Sequence, residues 1–178
     1  MSLSVSKFKT KLLHALEGHT ETVEFAKFSS DGRFLVTGGM NNLLRVWDVD
    51  AGFTLKQTID SIPQEDLSFV DWHPKAPLIL TGGKDYMVWL VNAVTGKIMA
   101  NLAGHDSDVT FGMFSIHDQN KHIVSSSVDC TIKVWKPLQN ECIMTVRQKS
   151  AQIFHQSPIL CFTLHPEHPL VISGDESG

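Results

Sequence analysis

The sequence has little of what marks secreted or membrane-spanning proteins. Only three of its 178 residues are cysteine, and this odd, widely spaced set does not suit a disulfide framework. No run of about 18 consecutive apolar residues is present, so we predict no membrane partner. The opening stretch MSLSVSKFKTK lacks the apolar core of a signal peptide. We therefore expect a protein of the reducing compartments, cytoplasmic and also nuclear.

An excess of positive charge is also missing. Lys and Arg number 15 against 19 Asp and Glu, and the formal net charge is −4. Because phosphate binding needs a basic surface, this balance argues against direct nucleic-acid binding. The sequence has no Cys-x-x-Cys, no HExxH and no glycine-rich loop that opens a helix after a strand. We therefore predict no metal, no cofactor and no small-molecule substrate.

What the sequence does contain is a repeat of about 43 residues. A Gly-His pair at 18–19 recurs at 104–105, and Trp47, Trp89 and Trp135 each lie in or at the end of a short apolar run. A small polar turn precedes each run, as VTGGMNN, LTGGKD and SSSVDC. The runs are rich in β-branched residues and are bounded by Gly, Pro, Asp or Asn, which is typical of strands rather than helices.

This punctuation predicts strands throughout the chain. Their ranges are 10–16, 22–28, 33–38, 43–48, 53–59, 67–72, 77–82, 86–91, 97–102, 109–115, 121–126, 131–136, 141–147, 158–164 and 169–174. A unit of four antiparallel strands with Gly-His and Trp-Asp marks resembles the blade of the WD40 propeller family. The resemblance covers residues 10–178.

The resemblance implies an all-β fold, a partial WD40 β-propeller of about four blades that is open or incomplete at both ends. We predict an N-terminal tail at 1–9 and a propeller segment at 10–178. That segment would hold the last strand of one blade, three full blades and the first two strands of the next. WD40 propellers usually close with seven or so blades, so we expect a piece of a longer propeller or one completed by another chain.

Three residues of the third unit have the types found in a hydrolase triad, namely His105, Ser125 and Asp129. Catalysis would also need an exposed nucleophile and oxyanion donors. Ser125 instead lies inside a predicted strand, in VSSSV, without the G-x-S-x-G elbow of a serine hydrolase. Partial copies of the trio recur in other units, which a single active site would not require. We therefore predict that the protein is not an enzyme.

The resemblance to WD40 proteins implies a structural role for the same residues. In that family, the His of Gly-His bonds the Asp of a tight turn, and a Ser or Thr and the Trp extend the network. The matching positions are His105, Ser125, Asp129 and Trp135 in the third unit and His19, Thr37, Asn41 and Trp47 in the first. The middle unit keeps Thr81, Asp85 and Trp89 and lacks the His.

The His-Pro pairs at 73–74 and 165–166 also fall at equivalent points of their units, just after the first strand. We predict that these histidines form turns and do not bind metal, although His165 and His168 lie close together in the sequence.

Acidic residues concentrate in one set of predicted loops. In a propeller, the loops that join consecutive blades share one face with the turns between second and third strands. This face holds eleven acids, but only Lys84 and Lys149 among the basic residues. Asp85 and Asp129 belong to turns, and the other nine are the predicted partner-binding residues: Glu17, Glu21, Asp60, Glu65, Asp66, Asp106, Asp108, Asp175 and Glu176. Because a face of one sign attracts the opposite charge, we predict a basic protein or peptide partner.

A narrower resemblance points to one branch of WD40 proteins. The stretches TGGMNNLLRVWDVD and EDLSFVDWHPKAPLILTGG, and above all DWHPKAPLIL at 71–80, resemble blades of the family of angio-associated migratory cell protein. A yeast relative in that family is a ribosome-assembly chaperone that shields a basic ribosomal protein. The resemblance implies an acidic face that holds such a client. The alternative is a generic WD40 signalling or complex-assembly scaffold with a different partner.

Overall fold

The computed structural model describes residues 12–40, 43–62, 66–117, 121–147 and 154–178. Its strands are β1 Val23–Phe28, β2 Phe34–Gly39, β3 Leu44–Asp48, β4 Thr54–Ile59, β5 Leu67–Trp72, β6 Leu78–Gly83, β7 Val88–Asn92, β8 Ile98–Leu102, β9 Val109–Phe114, β10 Ile123–Ser127, β11 Ile132–Lys136, β12 Glu141–Val146, β13 Ile159–Leu164 and β14 Val171–Asp175. A short 3-10 turn covers Pro137–Gln139. No helix in these ranges has the length and apolar composition needed to cross a membrane.

Consecutive strands pair into separate antiparallel sheets. Strands β1–β4, β5–β8 and β9–β12 form three four-stranded sheets, and β13 pairs with β14. We call these sheets blades one to four. Their first strands contact one another in chain order, β1 with β5, β5 with β9 and β9 with β13. The all-β prediction is confirmed, and the architecture is that of a partial WD40 propeller.

One predicted strand is not found. Residues 12–16 have no regular secondary structure, so the prediction of a strand at 10–16 is wrong there, and residues 10–11 lie outside the described ranges. A strand needs hydrogen bonds to a neighbouring strand, and this segment joins none of the described sheets. Instead, the His14 ring packs 4.9 Å from the ring of Phe53.

The hydrophobic core lies between the blades rather than within any one of them. Strands β2 and β10 are buried along their whole length, and β6 is nearly so. One apolar layer joins blades one and two, where Val36 and Leu44 pack in the same cluster as Leu67 and Ile79. Similar layers join blades two and three and blades three and four. Each fully buried aliphatic side chain contributes about 1.5–3 kcal/mol, so neighbouring blades stabilise one another.

The same irregularities recur in each blade and align its loops. An extra residue interrupts the pairing near the start of β1, β5, β9 and β13. Beside it, an equivalent amide after the second strand donates to a carbonyl before the first. These bonds join Met40 to Thr22, Lys84 to Asp66, Val128 to Asp108 and Glu176 to Pro158. Entry loop and tight turn therefore meet at one edge of every blade.

Candidate interaction site

The four predicted network residues of blade three lie together at this edge. The His105 Nδ1 atom is 2.8 Å from Asp129 Oδ2, and its Nε2 atom is 2.8 Å from Ser125 Oγ. The indole Nε1 of Trp135 donates to the same Ser125 oxygen at 2.8 Å. An ionised carboxylate can only accept, so Nδ1 carries a proton and donates to Asp129, while Nε2 is hydrogen-bonded to the Ser125 hydroxyl. The network therefore satisfies every polar atom of a buried imidazole.

Two opposing effects act on the acid of this network. Burial by itself raises the pKa of Asp129. Hydrogen bonds from His105, Thr131 and the backbone amide of Asp106 together lower this pKa by more than burial raises it. The result is a pKa well below the ordinary 3.8 of the carboxyl group. Asp129 therefore remains ionised and holds the entry loop through the 2.9 Å bond from the Asp106 amide.

The glycine before each of the two predicted histidines has a conformational reason. Gly18 and Gly104 have φ values of 142° and 147°, in the region that favours glycine. A Cβ on Gly104 would also lie 3.3 Å from the Trp135 ring. The Gly-His pair therefore reflects the backbone path that brings the imidazole under the turn.

Blade one has a smaller version of the network in the described residues. The Nε2 atom of His19 lies 2.8 Å from Thr37 Oγ1, and Trp47 Nε1 donates to the same oxygen at 2.9 Å. Asn41, the residue predicted in place of the acid, lies outside the described ranges. Burial and the nearby Arg45 guanidinium lower the pKa of His19, so the ring is held neutral.

In blade two, the acid of the turn and the Trp are hydrogen-bonded without a histidine between them. The indole Nε1 of Trp89 donates directly to Asp85 Oδ2 at 2.6 Å, and Thr81 Oγ1 donates to the Phe69 carbonyl at 2.7 Å. The turn of this blade is two residues shorter, with Asp85 four residues before its Trp rather than six. This spacing, together with the missing imidazole, brings the carboxylate within reach of the indole.

Blade four contains a network that sequence reasoning missed. The His155 ring lies 2.7 Å from Asp175 through Nδ1 and 2.7 Å from Ser173 through Nε2. Asp175, predicted as a partner-binding acid, is therefore engaged in the fold, and its pKa is lowered chiefly by the bond to His155. The available signal was the 18-residue spacing from His to Ser, which equals that from His19 to Thr37. No Gly marks it, because Phe154 precedes this histidine.

The bond pattern of His105, Ser125 and Asp129 has the order found in a serine hydrolase, but the surroundings differ. Ser125 is fully buried, whereas a nucleophile must meet a substrate carbonyl. Its oxygen also accepts a hydrogen bond from the Trp135 indole, which engages one of its lone pairs. The geometry fits a structural network that ties the entry loop to the turn.

The His-Pro turns form as predicted. The Nδ1 atom of His73 accepts the Lys75 amide at 3.1 Å, and Nδ1 of His165 accepts the amides of Glu167 and His168 at 3.1 and 3.0 Å. Within the described ranges, no group of three or more His, Cys, Asp or Glu side chains is placed to hold a metal ion.

Most of the predicted partner-binding acids lie at the network edge with free carboxylates. Glu65 falls outside the described ranges, and Asp66 is already paired with Lys84 at 2.7 Å. Asp175 is bonded to His155. The remaining six form no side-chain hydrogen bond or ion pair with any described residue. We call these six the acidic loop face: Glu17, Glu21, Asp60, Asp106, Asp108 and Glu176. All are exposed except Asp108, which is half-buried.

Comparison with known proteins agrees with this geometry. The family model described as WD domain, G-beta repeat matches residues 10–48 and 96–136, the two segments with a Gly-His pair. The chain carries WD40 repeats. Such repeats typically build protein-interaction scaffolds.

Several curated proteins are similar to these WD40 repeats over longer stretches. The human angio-associated migratory cell protein is 30% identical over 164 residues, which are 92% of this chain and 36% of that protein. COMPASS component SWD3 of Saccharomyces cerevisiae is 25% identical over 99% of this chain and 59% of its own length. Pre-mRNA-splicing factor cwf17 of Schizosaccharomyces pombe is 24% identical over 74% of this chain and 38% of its own length. The chain thus spans about a third of the human relative.

Proposed function

We propose that this chain is a non-catalytic interaction scaffold whose acidic loop face binds a basic segment of a protein partner. The observation that carries this proposal is the set of six carboxylates at one edge of the blades, none paired with a described residue. Exposed charges act over about 8 Å at physiological ionic strength, so neighbouring carboxylates add their fields at a bound cation.

In blade three, two backbone groups of this face are held by hydrogen bonds. The Asp106 amide donates to Asp129, and the Asp108 carbonyl accepts the Val128 amide at 2.9 Å. Both acids therefore sit on a backbone fixed by the buried network, while their side chains remain available. A fixed loop loses little conformational entropy when it binds, which favours affinity.

We further propose a ribosome-assembly role, with a basic ribosomal protein as the client, in the cytoplasm and nucleus. The support is the resemblance of residues 37–83 to one WD40 branch and the 30% identity to angio-associated migratory cell protein. Ribosomal proteins carry long basic segments that need neutralising before assembly, and an acidic face supplies this neutralisation.

The second candidate is a scaffold for another nuclear or signalling complex. Its support is the similarity to a COMPASS component over nearly the whole chain. Such a scaffold would use the same face without a preference for ribosomal clients.

A pull-down from a mixture of large-subunit ribosomal proteins separates these candidates. We expect the immobilised chain to retain one basic protein in stoichiometric amount, and the double variant Asp106→Lys with Asp108→Lys to lose it. The matched control is Asp50→Lys with Glu167→Lys, which makes the same charge change away from the acidic loop face. Equal retention by both variants would contradict the proposed face, and retention of no ribosomal protein would favour the second candidate.

A further inference from the structure

A second candidate binding surface lies at the opposite edge, between blades two and three. It is a cleft of about 500 Å³, a volume within the range of pockets that take small ligands or peptide side chains. Leu78, Leu90 and Phe114 line its apolar part. At its lip stands Leu138 on the 3-10 turn, with 88% of its surface exposed. Leu138 therefore extends the apolar surface of the cleft to its exposed rim.

The charge around this cleft is opposite to that of the acidic loop face. Its lining includes Lys121 and Lys136 together with His73 and His122, and contains no acidic side chain among the described residues. Lys136 forms no ion pair with any described residue, so its ammonium is available at the rim. A ligand that complements this cleft carries an apolar group flanked by negative charge.

The positive potential continues into the neighbouring cleft between blades one and two. His73 lines both clefts, and the second one, of about 480 Å³, adds Arg33, Lys56 and Lys75. Asp31, the one acid among the described residues that line it, accepts hydrogen bonds from Ser29 and from the Arg33 amide. Arg33 and Lys56 pair with Asp50 and Asp48 at 3.7 and 3.1 Å, whereas Lys75 forms no ion pair with a described residue. Lys75 therefore adds a second positive charge near the first cleft, on the side away from the acidic loop face.

We propose that the cleft between blades two and three binds an acidic segment of a protein partner through one apolar anchor side chain. A leucine or phenylalanine of the segment packs against Leu78 and Leu138, and a flanking carboxylate pairs with Lys136. This surface differs from the one proposed above in both position and charge. The chain would thus hold a basic partner at one edge and an acidic partner at the other.

The cleft suits a peptide better than a nucleic acid. Single-stranded nucleic acids bind basic grooves through bases that stack on exposed aromatic rings. Phe114 is only 3% exposed, and the His73 ring packs edge-on against it at 4.9 Å. The face of the Phe114 ring is therefore closed to a base, whereas the aliphatic side chain of Leu138 is exposed.

The test is a fluorescence anisotropy titration of the full chain with the labelled peptide EDDLFDE. We expect saturable binding that weakens about tenfold with Lys136→Glu and about fivefold with Leu138→Ser, since a buried anchor contributes about 1 kcal/mol or more. The controls are Lys97→Glu and Leu160→Ser, which change exposed residues outside the cleft and should bind as the unmodified chain does. Circular dichroism melting of each variant verifies that it is folded.

Two further peptides make the outcome decisive. The peptide EDDSSDE, which lacks the anchor, should bind at least about fivefold more weakly. The charge-reversed peptide KRRLFRK should bind more weakly when Asp106 and Asp108 are replaced by Lys. Its affinity should not weaken with Lys136→Glu. The proposal is overturned if EDDLFDE fails to saturate, if the cleft variants bind as well as their controls, or if an oligothymidylate competes as effectively as the unlabelled peptide.

Discussion

The ammonium of Lys27 lies 2.7 Å from a carboxylate oxygen of Asp71, so an ion pair joins the inner strands of blades one and two. The other Asp71 oxygen accepts the Phe114 amide of blade three at 3.2 Å. One carboxylate, 9% exposed, therefore connects three blades. Such a bond network sets how neighbouring sheets align, in addition to the apolar layers between them.

Replacing Asp71 by Ala should lower the free energy of unfolding by about 2–3 kcal/mol, because it leaves the Phe114 amide buried without a partner. Lys27→Met should cost about 1 kcal/mol or less, since the lysine side chain is 46% exposed. Urea denaturation measures both changes. The control is Asp50→Ala, which removes the exposed ion pair between Asp50 and Arg33, 3.7 Å apart. We expect it to leave the free energy of unfolding almost unchanged. Equal costs for Asp71 and Asp50 would contradict the bridging role.

The His105 network should matter more to stability than that of His19. His105 is 5% exposed and uses both ring nitrogens, whereas His19 is half-buried and has one described bond. We expect His105→Ala to cost about 2–3 kcal/mol and His19→Ala about 1 kcal/mol in urea denaturation. The control is His117→Ala, which changes an exposed histidine and should leave the free energy of unfolding unchanged. A larger loss for His19 than for His105 would refute this ranking.

Much of this network was predictable because each member has a distinct residue type at a fixed spacing. Gly, His, Ser or Thr, and Trp recur in phase, and the strands lie within two residues of their predicted bounds except at 12–16. Local patterning suffices there, since each blade is built from neighbouring hairpins.

The features that sequence patterns did not predict depend on contacts between blades or on a changed motif. His155 lacks the preceding glycine, so the Gly-His pattern missed it, although its 18-residue spacing to Ser173 equals that from His19 to Thr37. The pairing of Asp71 with Lys27 joins two blades across 44 residues. The basic clefts likewise combine residues of two blades. No periodicity within one repeat encodes such distant pairs.

The low pKa of Asp129 predicts how its contribution depends on pH. Because the folded-state pKa lies below the ordinary 3.8, the ionised group stabilises the fold above about pH 5. This contribution is lost as the pH falls through 3.8 towards the folded-state value. The difference in unfolding free energy between the unmodified chain and Asp129→Asn should therefore be largest near neutral pH and shrink below pH 4. Asp60→Asn is the control, and a difference that grows on acidification would contradict the prediction.

Ser125 should not react with serine-directed probes despite its bonds to His105. Its side chain is fully buried, and Trp135 donates to its oxygen. We expect no adduct after incubation of the folded chain with a fluorophosphonate, as judged by intact mass and peptide mapping. Trypsin treated in parallel serves as the positive control. An adduct on Ser125 that disappears with His105→Ala would revive the hydrolase interpretation.

Charge reversal on the acidic loop face should act mainly on the association rate of a basic partner. Asp106 and Asp108 contact the buried network through backbone atoms only. Replacing both side chains by Lys therefore leaves these backbone bonds in place. Loss of electrostatic steering should slow association about tenfold at low salt and flatten its dependence on ionic strength. Stopped-flow mixing with a basic ribosomal protein at several salt concentrations measures both quantities. The double variant of Asp50 and Glu167 should keep the rate and the salt dependence of the unmodified chain, and identical kinetics for the two variants would place the basic partner elsewhere.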